Sequence, residues 1–275
     1  MLSEPEFVLI ARELKARTGA VLTRDMTGAA EIKLQPLARR EGFTGVSEMI
    51  GAARIRPDGR LWAQIADHLL SVDTRFFRDK DQFEKLRTAL IPDAIARRGH
   101  ERIRIWSAAC STGQEPYSIA MTLEALREQN GRPIAAEIIA TDVSERLIEK
   151  ARSGLYTQFE IQRGLPIRSL IAHFEKASDL WRISDRLRAA VRFEQHNLMK
   201  HPGHLGQFDI IILAHTLSHF DPALRLEVIQ RASDALAPGG ALVLSANDQL
   251  PEGADGLLCQ DGIVTRASAV RVAAA

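Results

Sequence analysis

The stretch IRIWSAACSTGQEPY, residues Ile103–Tyr117, predicts a strand that enters a helix through a tight loop. Apolar residues alternate at its start, small residues follow, and Gly113 precedes a segment with a proline in its first turn. Such a loop brings backbone close to a ligand and points helix N–H groups at it, so nucleotide-like ligands bind at turns of this kind. An ordinary βα turn has the same local pattern, and the rest of the chain must decide between these interpretations.

The segments after this stretch continue as alternating strands and helices. The patterns predict strands at Ile103–Ser107, Ala136–Thr141, Asp209–Leu213 and Ala241–Ala246, and helices at Glu115–Gln129 and Pro222–Leu236. This order is typical of an α/β fold with a mostly parallel sheet and helices on both faces. A hairpin signal at Asp261–Gly262, between Leu257–Cys259 and Ile263–Thr265, would add an antiparallel edge strand.

The alternation of strands and helices is interrupted between Gly154 and Leu198. The β-forming segments Leu180–Ile183 and Leu187–Phe193 flank Ser184–Asp185. This pattern predicts a small antiparallel β-subdomain inserted at about residues 172–195.

The first part of the chain has helical rather than strand periodicity. Phe7, Ile10 and Leu14 fall on one face of a first helix, with Ser3 as N-cap and Glu6 completing a capping box. Further segments with helical period follow, one of them containing Pro36. We therefore expect an all-helical domain at residues 1–70, a hinge segment at 71–100 and the α/β domain at 101–275.

Two features of the helical and hinge segments suggest contacts with a partner. Between Lys33 and Arg60, six basic residues stand against three acidic ones, which indicates either a solvated helix face or a docking surface for an acidic partner. In the hinge, Phe76 and Phe77 lie among charged residues. One of the two rings would be exposed unless it packs on another domain or a ligand.

Composition excludes several classes of function. The 275 residues carry 36 Lys and Arg against 35 Asp and Glu, so no overall charge attracts the chain to nucleic acid. The two cysteines, Cys110 and Cys259, are too few for a disulfide framework or a zinc cluster, and we expect a cytoplasmic protein without metal. No apolar run approaches a membrane span and no signal peptide is evident, so a membrane-embedded protein is not expected.

Asp142 follows the second predicted strand directly. Ligands of such sheets bind outside the carboxyl ends of the strands, so Asp142 and Gly113 should face one crevice, where an aspartate can hold a pair of ribose hydroxyls. The glycines are too few for a dinucleotide fingerprint, and the spacing from the loop to Asp142 is too long for it. The pattern therefore favours an adenosine-bearing cofactor other than NAD.

Nine motifs together resemble the chemoreceptor methyltransferase (CheR) family, and they occur in the family's order over nearly the whole chain. They are TRFFRD (Thr74–Asp79), WSAACSTGQEPYS (Trp106–Ser118), IIATDVS (Ile138–Ser144), ARSGLY (Ala151–Tyr156), RGLP (Arg163–Pro166), NL (Asn197–Leu198), FDIII (Phe208–Ile212), HFD (His219–Asp221) and LAPGG (Leu236–Gly240). The resemblance implies a class I S-adenosylmethionine-dependent methyltransferase fold, Rossmann-like, with a small β-subdomain and an N-terminal helical domain.

The same resemblance implies the site residues. Those expected at the cofactor are Val72, Thr74, Arg78, Ala109, Glu115, Asp142, Asn197, Leu198, Leu213 and Ala214. Glu115 would bind the amino group of the methionine moiety and Asp142 the ribose hydroxyls. Arg78, which would position a carboxylate, and His219 are the expected catalytic residues.

Several positions depart from the family pattern. Ala214 stands where an arginine is usual, His215 where an asparagine is usual, and His219 where the family has a tyrosine that helps to place the reactive methyl. Val72 replaces an asparagine, and SANDQL (Ser245–Leu250) replaces a GHSENL-like segment.

The histidines allow more than one interpretation. His219 either substitutes for the tyrosine or belongs to a pocket that binds cofactor weakly or not at all. His215 and His219 can also be partly exposed residues at the start of a helix. A metal site is disfavoured, because no third ligand accompanies the two histidines within the motif.

The resemblance implies methylation of glutamate side chains on the cytoplasmic helices of chemoreceptors, with S-adenosylmethionine as donor and S-adenosylhomocysteine as product. The alternative is a divergent signalling or scaffold protein that binds the cofactor but is catalytically weak. A small-molecule methyltransferase is disfavoured, because the helical domain and hinge also match the receptor-directed family. We expect a monomer, not tethered through a receptor tail peptide because the insert at Trp181–Arg192 lacks a glycine-rich loop.

Overall fold

The computed structural model describes residues 2–55, 59–245 and 248–267. The chain is divided into two compact units. Met1–Val72 and Ser218–Leu224 form the first unit, and Asp73–Leu217 and Arg225–Ala275 form the second. The chain thus passes from the first unit to the second and returns briefly to the first. No helix in the described ranges is long and apolar enough to cross a bilayer.

The first unit is a helical bundle. Its α-helices are Glu4–Thr18, Thr27–Arg40, Val46–Ile55 and Arg60–Leu69, with a 3₁₀ turn at Arg24–Met26. The predicted capping box is confirmed, because the Glu6 carboxylate accepts hydrogen bonds from the Ser3 N–H at 2.7 Å and the Ser3 hydroxyl at 2.6 Å. Gly19 ends the first helix with φ of 77°, a left-handed conformation that glycine adopts without steric cost. Apolar faces of all four helices meet in one core.

The returning segment 218–224 is attached to the first unit by backbone and side-chain contacts. The Val21 N–H donates to the His219 carbonyl oxygen at 2.8 Å, and Ala20 forms an isolated β-bridge with Phe220. Lys15 Nζ lies 2.6 Å from Asp221 Oδ2. The segment therefore completes the helical unit although it is distant in sequence.

Several basic side chains between Lys33 and Arg60 form hydrogen bonds or ion pairs within the helical bundle. Lys33 Nζ donates to the carbonyl oxygens of Leu69 at 3.2 Å and Leu70 at 3.1 Å. The Glu41 carboxylate pairs with Arg60 at 3.0 Å and Arg40 at 3.5 Å. Arg56 and Asp58, which contribute to the sequence count, lie outside the described residues. Three of the six basic residues therefore have contacts within the bundle.

The second unit is built on a seven-stranded sheet. In chain order, the described strands of this unit are β1 Ile103–Ala108, β2 Ala136–Asp142, β3 Leu155–Thr157, β4 Phe174–Ala177, β5 Leu180–Ile183, β6 Val191–Gln195, β7 Phe208–Ile212, β8 Leu236–Val243, β9 Leu257–Gln260 and β10 Ile263–Arg266. The large sheet has the order β6-β2-β1-β7-β8-β10-β9. Strands β6 to β8 in that order are parallel, and β10 and β9 are antiparallel, which confirms the predicted hairpin.

The helices of the second unit flank these strands. The described α-helices are Lys80–Lys85, Ile91–Arg98, Gln114–Asn130, Glu145–Ser153, Gln158–Gln162, Ile167–His173, Asp185–Ala189 and Pro222–Asp234, with a π-helical turn at Leu86–Leu90 and 3₁₀ turns at Gly203–Leu205 and Leu217–His219. Buried apolar residues from the sheet and from these helices form one core. The sheet order and the flanking helices give the mostly parallel α/β fold that the sequence predicted.

The prediction that Leu187–Phe193 pairs with Leu180–Ile183 was wrong. Strand β5 pairs antiparallel with β3 and β4 in a separate three-stranded sheet, whereas β6 pairs parallel with β2 in the large sheet. Leu187 lies in a short helix, where it is buried. The small sheet therefore draws β3 from before the predicted range 172–195, because sequence alternation does not identify which strand is the partner.

Strand β8 starts earlier than predicted. It spans Leu236–Val243 and thus includes the LAPGG motif, while Ala246 of the predicted strand lies outside the described residues. The pairing with β7 shifts register between Phe208 and Ile210, so the Pro-Gly-Gly run is accommodated as an irregularity in the strand. Pairing with the neighbouring strand keeps this run in the sheet.

The phenylalanine pair is packed rather than exposed. Phe76 is fully buried, with its ring centroid 5.1 Å from that of Tyr156 and 5.6 Å from that of Phe174, both in edge-to-face geometry. Phe77 packs edge-to-face on Phe83 at 5.2 Å. These contacts attach the TRFFRD segment to the core of the second unit.

Candidate functional site

The loop between β1 and its helix has an unusual backbone. Ala109, Ser111 and Gly113 have φ values of 58°, 52° and 91°, in the left-handed region that non-glycine residues seldom adopt. A Cβ atom on Gly113 would lie 2.8 Å from the Ala151 Cβ atom, so only glycine fits there. The Cys110 N–H donates to the Thr141 carbonyl oxygen at 2.8 Å and extends the pairing of β1 with β2 into the loop. Strained backbone of this kind is concentrated at functional sites.

Asp142 fixes this loop against the next one. Its Oδ2 atom accepts from the Ser111 N–H at 2.8 Å and its Oδ1 atom from the Ser144 N–H at 3.0 Å. The side chain is buried at the carboxyl end of β2, where the sequence placed it. The structure therefore shows that Asp142 organises two loops, and its contact with a ribose stays a prediction.

The third loop on this side follows β6. The His196 N–H donates to the Asp142 carbonyl oxygen at 2.9 Å, and the Asn197 Oδ1 atom accepts from the Met199 N–H at 3.0 Å. Burial lowers the pKa of His196 to about 4, with further contributions from His204 and Lys200, so its imidazole is neutral at pH 7. Asn197 and Leu198, both partly buried, thus lie in a loop joined to Asp142.

A cavity that is open to solvent lies beside the ends of β7 and β8. Among the described residues it is lined by the charged or titratable side chains Arg78, Asp79, Glu115 and His215, by Gln82, and by the apolar Phe83, Leu86, Ile212, Ala214 and Val243. Arg78, Glu115 and Ala214 are therefore brought together as the sequence predicted. This lining does not include the other predicted cofactor residues.

Glu115 is the most perturbed acid of this cavity. Its Oε1 atom accepts from the Ser107 hydroxyl at 2.7 Å, and no described cation forms a salt bridge with it. Burial raises the pKa of Glu115 to about 7; Asp79 adds to this rise, whereas Ser107 and Arg78 oppose it. A carboxylate in this setting lacks a counter-ion, and a ligand with a positively charged group would supply one.

Arg78 is held at the edge of the cavity by Asp73. Its Nη2 atom donates to Asp73 Oδ2 at 2.9 Å and its Nη1 atom to the Asp73 carbonyl oxygen at 2.5 Å. Arg163 of the RGLP motif donates to the other oxygen of the same carboxylate at 2.8 Å. The hydrogen bond from Arg163, together with the charge of Arg78, holds the pKa of Asp73 below its usual value.

The altered wall after β7 contains a hydrogen-bonded histidine–aspartate pair. His215 Nε2 lies 2.7 Å from Asp79 Oδ2, and His215 has a left-handed φ of 58°. Ala214 beside it is partly buried and presents only a methyl group to the cavity. The alternative that placed His215 at the start of a helix is wrong, since the 3₁₀ turn begins at Leu217.

The remaining predicted residues are dispersed. Val72 is 42% exposed and belongs to the first unit, and Thr74 is partly buried in the second. Leu213 is fully buried, and its N–H donates to the Val243 carbonyl oxygen at 2.9 Å. His219 is exposed and belongs to the first unit, so its catalytic role stays a prediction.

Sequence reasoning assigned no role to several lining residues. Asp79 is the last residue of TRFFRD, and Gln82, Phe83 and Leu86 come from the helical segment that follows it. Ile212 and Val243 end two strands. The end of a parallel strand is a general signal for Ile212 and Val243, but Asp79 lies 136 positions from its partner His215. Within the described ranges, no group of three or more His, Cys, Asp or Glu side chains is arranged to hold a metal ion.

The chain is similar over most of its length to known chemotaxis methyltransferases. It is 32% identical over 260 residues to the chemotaxis protein methyltransferase Cher2 of Pseudomonas putida, covering 92% of this chain and 94% of that protein. It is 31% identical over 268 residues to chemotaxis protein methyltransferase 1 of Pseudomonas aeruginosa, covering 95% and 97%. The chemotaxis protein methyltransferase of Vibrio anguillarum is 32% identical over 251 residues, with 90% of each chain covered.

The family comparison gives the same result. Residues 72–261 match the sequence model of the domain described as CheR methyltransferase, SAM binding domain. That range contains the loop Ala109–Gly113, Asp142 and the whole lining of the cavity. The chain therefore belongs to the CheR family of chemotaxis methyltransferases, with an S-adenosylmethionine-binding domain of class I fold.

Proposed function

We propose that this protein transfers the methyl group of S-adenosylmethionine to glutamate side chains on the cytoplasmic helices of a chemoreceptor. The observation that carries the proposal is the Glu115 carboxylate, which lies in a cavity at the strand ends without a described counter-ion. The methionine amino group of the cofactor is a cation of the required kind. The relatives named chemotaxis protein methyltransferases support the chemoreceptor as partner.

The residues present fit the cofactor. The left-handed loop Ala109–Gly113 leaves the backbone open to close approach, and the buried Ser111 hydroxyl has no hydrogen-bond partner among the described residues. In the proposal, Glu115 binds the amino group and Asp142 accepts from the ribose hydroxyls, while Thr74, Asn197 and Leu198 complete the site. Arg78, held by Asp73, is proposed to orient a carboxylate.

The proposed reaction needs no general base. When bound, S-adenosylmethionine would supply an electrophilic methyl group to the glutamate oxygen, with its sulfur as the leaving group. Because a glutamate is ionised at pH 7, no proton has to be removed from it. The protein's contribution is therefore orientation of the two reactants and compensation of the acceptor's negative charge.

A second candidate is a signalling protein that binds the cofactor but turns over slowly. Ala214 favours this alternative, because it lines the cavity and supplies no cation where the family has an arginine. The exposed His219 supports it too, since the family has a tyrosine there.

Two measurements distinguish these candidates. Calorimetry with S-adenosylmethionine and S-adenosylhomocysteine should show binding for both, and a protein that binds neither contradicts both proposals. Transfer of a labelled methyl group to receptor cytoplasmic fragments is expected for the enzyme. If cofactor binds, no fragment is labelled, and the double variant Ala214→Arg, His219→Tyr labels the fragments, the weak-turnover alternative is correct.

We further propose a cytoplasmic monomer that recognises the receptor without a tail-peptide tether, metal or nucleic acid. The small sheet offers the observation behind the tether proposal, since its β4–β5 connection is only Ser178–Asp179. Capture of the protein by an immobilised receptor tail peptide would contradict it, and light scattering tests the monomer.

A further inference from the structure

The RGLP turn, Arg163–Pro166, has no part in the reaction proposed above, and none of its residues is among the described residues that line the cavity. It nevertheless lies directly against the TRFFRD segment. Gly164 has φ of 95°, and a Cβ atom at this position would collide with the Phe76 carbonyl oxygen. Glycine is therefore required for the close approach of the two backbones.

Asp73 connects this turn to the cavity. The Arg163 Nη2 atom donates to Asp73 Oδ1 at 2.8 Å, and the Arg78 Nη2 atom donates to Asp73 Oδ2 at 2.9 Å. The Arg78 Nη1 atom donates to the Asp73 carbonyl oxygen at 2.5 Å. Because a guanidinium is planar, two hydrogen bonds to one residue restrict its orientation. Arg163 binds the other carboxylate oxygen and so restricts the rotation of the carboxylate itself.

The charges of these three side chains do not cancel. The hydrogen bond from Arg163, together with the charge of Arg78, lowers the pKa of Asp73, which is therefore ionised at pH 7. Guanidinium groups are protonated in proteins, so two positive charges share one negative charge. Arg78 lines the cavity with part of its N–H donors still available. A carboxylate of a ligand is the complement of such a group.

The exposure of the three side chains argues against a role in stability alone. The side chains of Asp73, Arg163 and Arg78 are 57%, 36% and 26% exposed. Ion pairs that are exposed to this extent contribute little to the free energy of unfolding. The orientation of a binding group has a larger effect on function, because small misplacements weaken its contacts with the ligand.

We propose that Arg163 and Asp73 are positioning residues, which hold the Arg78 guanidinium in the orientation that receives a carboxylate. This inference rests on the proposed function, in which Arg78 orients a carboxylate. Two sources have this chemistry: the α-carboxylate of the cofactor and the side chain of the acceptor glutamate. The experiment below distinguishes the two sources.

The test measures equilibrium binding, so it does not require turnover. In the first arm, calorimetry compares S-adenosylhomocysteine, which has an α-carboxylate, with 5′-methylthioadenosine, which lacks one. In the second arm, protein saturated with S-adenosylhomocysteine binds a receptor cytoplasmic fragment that has either its methylatable glutamate or glutamine at that position. The arm in which the variants lose binding identifies the carboxylate that Arg78 receives.

Two variants remove the positioning contacts. Arg163→Gln and Asp73→Asn should each weaken binding of the carboxylate ligand of one arm by about three- to tenfold and leave binding of its carboxylate-free counterpart unchanged. An asparagine side chain has one acceptor oxygen, so it cannot accept from both arginines through separate oxygens. The two variants change the net charge in opposite directions, and an effect of charge alone would therefore weaken binding in one and strengthen it in the other.

A double variant decides whether Arg163 acts through Arg78. Adding Arg163→Gln to Arg78→Gln should cause no further loss of binding, because no guanidinium remains to be positioned. The matched control is Arg168→Gln, which removes an exposed arginine from the helix after the RGLP turn and should leave binding in both arms unchanged. Thermal unfolding reports the folding of each variant, and the midpoints should stay within about 3 °C of the wild type. If Asp73→Asn does not fold, Arg163→Gln and the double variant still decide the outcome.

Several results overturn the inference. They are unchanged binding by Arg163→Gln in both arms, an equal loss for ligands with and without the carboxylate, stronger binding by Asp73→Asn, and a full additional loss when Arg163→Gln is added to Arg78→Gln. Failure of the proposed function is seen separately, as a wild-type protein that transfers no labelled methyl group to any fragment while the coupling between Arg163 and Arg78 is still measured in ligand binding.

Discussion

Glu115 is the side chain on which cofactor binding is expected to depend most directly. Since burial raises its pKa to about 7, the carboxyl group is partly protonated near pH 7 before a ligand binds. Binding of a cationic amino group requires the carboxylate, so a proton must leave when the ligand binds below pH 7. We predict that the dissociation constant for S-adenosylmethionine rises by up to about tenfold per pH unit below pH 7. Calorimetry between about pH 5.5 and 8 measures this, and a flat profile contradicts it.

The variant Glu115→Gln provides the matched test, because it keeps the shape and removes the titration. Folding raises the pKa of Glu115 from 4.5, so its contribution to stability is fully present below pH 4.5 and is lost as pH rises through about 7. At pH 8 the free energy of unfolding of the variant should exceed that of the wild type by on the order of 1–3 kcal/mol, as measured by denaturant titration. The variant should bind S-adenosylmethionine about tenfold or more weakly than the wild type. If the difference in free energy of unfolding between variant and wild type is the same at pH 5 and at pH 8, burial does not destabilise the carboxylate.

The helix Gln114–Asn130 has left-handed glycines at both ends, which allows an internal comparison. Gly113 has φ of 91° and no room for a Cβ atom beside Ala151, whereas Gly131 has φ of 64° and nothing within 4 Å. Gly131→Ala should cost about 1–2 kcal/mol from backbone conformation alone and leave cofactor binding unchanged. Gly113→Ala should cost more and weaken S-adenosylmethionine binding about tenfold or more, because its loop must shift. Chemical denaturation and calorimetry check both, and equal effects of the two variants would exclude a special role for this loop.

The TRFFRD segment is expected to derive its position from Phe76. The ring is fully buried between Tyr156 of β3 and Phe174 of β4, so Phe76→Ala should lower the free energy of unfolding by about 3–5 kcal/mol. The control is Phe159→Ala, whose ring is 68% exposed and should change stability within about 0.5 kcal/mol. Denaturant titration measures both, and a small effect at Phe76 would mean that the small sheet does not anchor the segment.

Some secondary-structure elements could be predicted from the sequence because their signals are local. Buried parallel strands such as Phe208–Ile212 are continuous apolar runs, and the capping box at Ser3 and Glu6 is local in sequence. Pairing partners were less accessible, as the placement of β6 and the Pro-Gly-Gly run inside β8 demonstrate. Both placements depend on which strand lies next to the segment, and period-two alternation of side chains does not identify that neighbour.

In the candidate site, too, some residues could be predicted from the sequence and others could not. The position of Asp142 could be predicted because it ends a strand of the sheet, whereas Glu115 was implied by the resemblance of its motif to the family. The pair His215–Asp79 could not, because its members lie 136 positions apart and neither motif specifies the other. The resemblance identified position 215 as a departure, and the structure supplies the contact that gives the departure a physical meaning.

For the whole chain, the division into units predicts the outcome of exchanging parts with a relative. The first unit includes the segment Ser218–Leu224, attached through the His219 carbonyl oxygen, the Phe220 bridge and the Lys15–Asp221 ion pair. A chimera that takes only residues 1–72 from the Pseudomonas putida relative should be less stable than one that takes residues 1–72 and 218–224 together. Differential scanning calorimetry compares the two, and equal transition temperatures would contradict the prediction.

That short return of the chain also limits how the helical unit can have changed during divergence. A terminal module can be replaced by recombination at one junction, but this unit has its last piece encoded between β7 and the helix Pro222–Asp234. Substitutions in the first helix and in segment 218–224 should therefore be compensated in pairs, although the two segments are far apart in sequence. The helical unit is inherited together with the strand that precedes Ala214 and His215, so a change in the helical unit and a change of the cavity wall need not be independent events.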